Sequence, residues 1–128
     1  MAFVIDTNVA IALRDGDVPT ATRMGGLAGA ILMSVITRVE LEGGVWREPA
    51  FAKMRRARLD AILAAIPVLA FDDGAADIYS RIVEASGYAR RKLLDRMIAA
   101  QTMQHRATLI TRNADDFRDI KGLKLQVW

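Results

Sequence analysis

The chain has no cysteine and only one histidine among its 128 residues. Disulfide bridges and thiolate zinc sites are therefore excluded. Long hydrophobic runs are missing too. The longest, residues 61–71, is too short to span a bilayer and contains Pro67. At the N-terminus, Asp6 cuts the apolar start before a secretory hydrophobic region can form. No internal repeat, low-complexity tract or linker is visible. The expectation is a soluble, cytoplasmic protein with no membrane partner.

What is present is apolar material and charge. The composition is 52% hydrophobic and 26% charged, which suits a folded core rather than a disordered chain. The length suits one domain over residues 1–128. The net charge is +3. If several acids were gathered inward around a metal, the remaining surface would be distinctly basic. Such a surface attracts a polyanion, RNA or DNA.

Short apolar runs at residues 3–5, 31–34, 68–71, 108–111 and 125–127 read as buried strands. Helical patterns lie between them. A short one covers 8–14, and a weaker one covers 21–27, where Gly25 and Gly26 count against it. Residues 35–46 follow Ser34 as an N-cap, and 49–66 run from one proline to the next. Asp72 opens a helix that Gly87 stops, and 95–106 is the last long helix. Strands alternating with helices imply a mostly parallel central sheet covered by helices on both faces, a three-layer α/β arrangement.

Acids sit at the ends of these elements. Asp6 closes the first strand, Glu40 lies in the helix after the second, Asp95 opens the helix that feeds the fourth, and Asn113 and Asp116 follow the fourth. In an open α/β sheet, ligands bind beyond the carboxyl ends of the strands. These side chains can therefore meet at one rim, where oxygen ligands alone suit a hard divalent cation. Each also has a plainer reading. Asp6 and Asp95 can be helix caps, Glu40 an exposed helix acid, and Asn113 and Asp116 turn residues.

Four segments in order carry a resemblance. Asp6-Thr7-Asn8, residues 34–41 with Gly43, residues 95–100, and residues 108–113 with Asp116-Phe117 resemble the PIN-domain ribonucleases. Within that family the chain looks like the VapC toxins of type II toxin–antitoxin pairs, including the FitB-like branch. The resemblance implies a three-layer PIN domain and an endoribonuclease using Mg²⁺ or Mn²⁺, which leaves a 5′-phosphate and a 3′-hydroxyl. It implies catalytic roles for Asp6, Glu40, Asp95 and Asp116, with Asp6 and Asp95 as the metal ligands. Thr7 and Asn8 would bond the phosphate or Asp6, and Ser34, Thr37 and Thr111 would fix carboxylate rotamers. Asn113 stands where the family often has its fourth acid, and Asp116 is placed to compensate. Leu93-Leu94 before Asp95 is a second departure.

Arg90, Arg91, Lys92 and Arg96 flank Asp95 and are candidates for phosphate contact with RNA. Lys53, Arg55, Arg56 and Arg58 read instead as a solvated helix face. Trp46, Phe51 and Met54 read by default as core. The resemblance adds a VapB-type antitoxin whose helix docks in an apolar groove of this region, a homodimer, and a toxin–antitoxin hetero-oligomer. The alternative is a non-catalytic PIN-like module that binds an antitoxin and regulates its DNA binding, a reading Asn113 favours. A receiver-type phosphoacceptor domain fits poorly, because Phe71-Asp72-Asp73 is a weak match for its acidic pair.

Overall fold

The computed structural model describes residues 1–128. Five strands, β1 (Ala2–Ile5), β2 (Ala30–Ser34), β3 (Val68–Leu69), β4 (Thr108–Thr111) and β5 (Lys124–Val127), form one sheet in the order β3-β2-β1-β4-β5. Every pairing is parallel. The helices are α1 (Thr7–Arg14), α2 (Val18–Gly25), α3 (Val35–Arg47), α4 (Ala52–Ala65), α5 (Asp73–Ser86) and α6 (Leu93–Gln104). Parallel strands need long crossovers; these helices supply all but the one from β4 to β5, which runs through a 3₁₀ turn, Ala114–Asp116.

Strand alternation builds two cores. Phe3, Ile5, Met33 and Ile110 face Val9 of α1, Leu41 and Val45 of α3, and Leu59 and Ile62 of α4. Val4 and Leu109 face the other way, onto Ile82 of α5 and Ile98, Ala99 and Ala100 of α6. Burying each large aliphatic side chain contributes roughly 1.5–3 kcal/mol, which is why both faces of the sheet must be covered. The result is the expected three layers. No helix is long and apolar enough to cross a membrane.

The elements differ from the sequence reading in three instructive places. α2 begins at Val18 rather than near residue 21, because the Asp17 carboxylate accepts from Thr20 N at 3.1 Å and caps it. The proline-initiated stretch splits into a 3₁₀ turn, Pro49–Phe51, followed by α4. α6 starts at Leu93, so Asp95 lies inside its first turn and is not its N-cap. Gly87 stops α5 as expected, with φ of 85°.

The topology positions the site. β1 is central, flanked by β2 and β4, and all three carboxyl ends open onto the same rim. α1 and α3 leave that rim directly from β1 and β2.

Candidate active site

Asp6 is the fixed point of the rim. Its backbone N–H donates to Ile110 O at 3.0 Å, which ties the end of β1 to β4. Its Oδ1 accepts from Val9 N at 3.0 Å, so Asp6 does cap α1. Its Oδ2 accepts from the Thr111 hydroxyl at 2.5 Å. A carboxylate offers about four lone-pair directions, so these two bonds orient it and leave others for a ligand. Burial raises its pKa. Thr111 and Val9 oppose the shift by hydrogen bonding, Asp116 adds to it by charge repulsion, and Arg112 opposes it by attraction.

Glu40 is exposed on α3 and is held by α1. The Thr7 hydroxyl donates to Glu40 Oε1 at 2.8 Å. Thr7 has one hydroxyl proton, so Thr37, 3.1 Å away, donates to Thr7 in turn. Thr7 therefore serves Glu40, not Asp6, and Thr37 supports it from behind. Asn8 is exposed and bonds neither Asp6 nor any other side chain.

Asp95 lies half-buried and receives no hydrogen bond. Its carboxyl is pushed up to about 6, first by burial and then by the charges of Asp116, Asp6 and Glu40. All three acids therefore bear on it through space.

Ser34 does not contact a carboxylate, contrary to expectation. It is fully buried, accepts from Ile36 N at 2.9 Å and donates to Gln101 Oε1. Gln101 Nε2 donates to Leu69 O at 2.9 Å. The pair locks α6, and with it Asp95, against the start of α3 and the end of β3. Gln101 was not legible as a site residue, because a lone glutamine on an apolar helix face gives no signal.

Asn113 and Asp116 act together. Asn113 Nδ2 donates to Asp116 Oδ2 at 2.6 Å, and Asn113 N donates to Thr111 Oγ1 at 2.9 Å. Thr111 thus links Asp6 to the turn that holds Asp116. Arg112 also belongs here, although sequence reading gave it no role. Its Nη2 donates to Asp17 Oδ2 at 3.1 Å and to Thr20 Oγ1 at 2.6 Å, close enough for its charge to act on Asp6.

The four basic residues flanking Asp95 separate. Arg90 and Arg91 are exposed on a 3₁₀ turn, Arg90–Lys92. Lys92 pairs with Asp119 at 3.0 Å. Arg96 is 1% exposed and cannot contact RNA, which corrects that expectation. It donates to Gly87 O at 2.6 Å and to Asp119 Oδ2 at 3.2 Å, pinning the loop after β4. On α4, Arg55 holds Gly44 O and Glu48, Arg56 holds Glu42 and Asp60, and Arg58 reaches Arg14 O. Those arginines are structural pins rather than a free face.

The donors at the rim are carboxylate and amide oxygens, which suit Mg²⁺ or Mn²⁺ and not softer ions. No three acids close on a common point. The repulsion registered at Asp95 is what a divalent cation would relieve, so the donor set fits one.

The family model of the PIN domain matches residues 3–123. The chain is 31% identical over 130 residues to Ribonuclease VapC1 of Rickettsia felis, covering 98% of this chain and 95% of the relative. Its fold is similar to that of VapBC2 from Rickettsia felis bound to a promoter DNA fragment, with a TM-score of 0.87, 24% identity, and coverage of 100% and 99%. It is also similar to VapBC-1 from nontypeable Haemophilus influenzae, with a TM-score of 0.81, 26% identity, and coverage of 100% and 98%. FitAcB from Neisseria gonorrhoeae gives a TM-score of 0.81, 26% identity, and coverage of 96% and 95%.

Proposed function

Because the chain belongs to the PIN-domain family, alongside its VapC-type ribonucleases, we propose that it is a metal-dependent endoribonuclease and the toxin of a VapBC-type toxin–antitoxin pair. The observation that carries the reading is the gathering of Asp6, Glu40 and Asp116 on the same rim as Asp95, near enough for their charges to act on it although no three close on one point. A protein seldom concentrates like charge this way unless a cation or a reaction uses it.

In this reading Asp6 and Asp95 hold a Mg²⁺ or Mn²⁺ ion, and Asp116 adds charge from the β4 side. When bound, the ion makes water a better nucleophile and neutralises charge on the phosphate. Glu40, held by the Thr7 hydroxyl, would orient the attacking water and be placed to take its proton. Thr111 keeps the Asp6 carboxylate in one rotamer, so the site needs little rearrangement. Arg90 and Arg91 meet the RNA backbone beside the rim.

The antitoxin has an apolar seat. Trp46, Phe51 and Met54 are exposed, so they are not the core residues that composition suggested. Met54 shares one stripe of α4 with Arg58, Ala61 and Ala65, at i, i+4, i+7 and i+11. That stripe leads into an open cleft of about 720 Å³ lined by Leu13, Met24, Ile31 and Ile62. An amphipathic antitoxin helix lies along it in this reading. Exposed Val39, Leu93 and Leu94 supply apolar surface for a second copy of the chain. The non-catalytic alternative loses its main support, because Asn113 orients an acid, Asp116, instead of leaving the position without one.

The test uses purified protein freed of any partner, mixed RNA, and Mg²⁺ or Mn²⁺ against a chelator. Cleavage should require metal and disappear in the nearly isosteric Asp6→Asn, with circular dichroism unchanged. A folded Asp6→Asn protein that cuts as well as wild type overturns the assignment.

A further inference from the structure

A second feature lies beside the rim. On the flank of α1 that carries Asn8, Ala12 and Asp15, an open polar cleft of about 620 Å³ runs to Arg112 and Asn113. It borders the candidate active site directly, since Asn113 bonds Asp116 and Arg112 acts on Asp6.

Its lining is wrong for a phosphate. Asp15 and Asp17 outnumber Arg112, so a polyanion's backbone gains little there. The lining suits a nucleobase. The Arg112 guanidinium is held by Asp17 and Thr20, yet its side chain is 43% exposed, which leaves a planar face for stacking. Asp15 uses only Oδ1 for Arg14, at 3.1 and 3.0 Å, and its Oδ2 is free. The Asn8 amide is exposed and offers both donor and acceptor.

We propose that this cleft receives one unpaired nucleobase of the RNA next to the scissile phosphate, stacked on Arg112 and read along its edge by Asn8 and Asp15. The inference rests on the ribonuclease reading and adds to it the source of sequence preference. A carboxylate only accepts hydrogen bonds. It therefore favours cytosine, whose exocyclic amino group projects a donor from the edge, over uracil, whose one edge donor, N3–H, sits between two carbonyls that the carboxylate repels.

Cytosine and uracil hexamers separate this cleanly, because the two bases stack alike and differ at the edge. The 2′-O-methylated hexamers are titrated by fluorescence anisotropy against the wild-type protein in chelator, where no cleavage competes. The cytosine hexamer should bind roughly tenfold tighter. Ala12→Leu fills the cleft, keeps the backbone bond from Asp17 N to Ala12 O, and should bring the ratio close to one. Asp15→Asn should do the same, and Ala12→Leu stands in if loss of the Arg14 partner unfolds it. Equal binding of the two hexamers by wild type overturns the proposal. So does a ratio that Ala12→Leu leaves unchanged, or a variant that loses only antitoxin binding, which would assign the cleft to a protein partner. A persistent cytosine preference without metal-dependent cleavage would sink the nuclease assignment alone.

Discussion

The side-chain amide of Asn113 donates to Asp116 Oδ2 at 2.6 Å. The residue that replaces an acid in the family pattern thus positions another acid, three places on. Asn113→Ala should free Asp116 and lower metal affinity or cleavage by about 10- to 100-fold, as loss of an outer-shell partner commonly does. Asn113→Asp should not rescue, because it sets a like charge against Asp116. Mn²⁺ titration of cleavage rates for both variants checks this. Activity of Asn113→Asp above wild type would show that Asn113 occupies a ligand position itself.

The raised pKa of Asp95 has a consequence for stability. Its carboxyl ordinarily titrates near 3.8 and is pushed up to about 6 in the fold. Between those values the folded state binds the extra proton, so stability falls as pH rises through the window and stays lower above it. In chelator, Asp95→Asn should therefore melt a few degrees higher than wild type at pH 7.5, and the two should converge near pH 3.5. Adding Mg²⁺ should stabilise wild type more than Asp95→Asn, because the ion offsets the repulsion only where the carboxylate remains. Thermal melts over pH, with and without Mg²⁺, decide it. A destabilised Asp95→Asn at pH 7.5 in chelator would mean the carboxylate is structurally required.

Arg96 and the neighbouring arginines should part company under mutation. Arg96→Met leaves the Gly87 carbonyl without its donor and weakens the tie to Asp119, costing roughly 1–3 kcal/mol of stability. Among molecules that remain folded, RNA affinity should be unchanged. Arg90→Ala with Arg91→Ala should do the reverse, leaving the denaturation midpoint in place while lowering both RNA affinity and its dependence on salt. Denaturant midpoints paired with binding at two salt concentrations distinguish the two. Equal loss of RNA affinity in both would return Arg96 to the binding surface.

Much of this was readable along the chain, and the boundary of legibility has a physical form. Asp6 and Asp116 could be placed near strand ends because an apolar run stops there, which is a local signal, whereas Glu40 and Asp95, inside helices, were picked out by the resemblance. Side-chain phase around a helix is not local. Asp95 and Arg96 are neighbours, yet about 100° of helix rotation separates them. With α6 taken to start at residue 95 instead of Leu93, nothing fixed which of the two faced inward. Long-range pairs were equally hidden. Thr7 with Glu40 and Ser34 with Gln101 are chosen by packing between elements, and each serine or threonine had other plausible partners. Asp17 shows the same limit at smaller scale, since a loop acid becomes a helix cap only once α2 is known to begin beside it.

Placing β1 between β2 and β4 has a cost in time. The Thr111 hydroxyl that sets Asp6 comes from 105 positions further along. Contacts so distant form only after the chain between them has been gathered. A molecule still on the ribosome without its final quarter holds Asp6 and Glu40 but neither the strand beside them nor Asp116. Such an unfinished copy lacks the tie that orients Asp6, so the rim is complete only once β4 and the turn after it have been made.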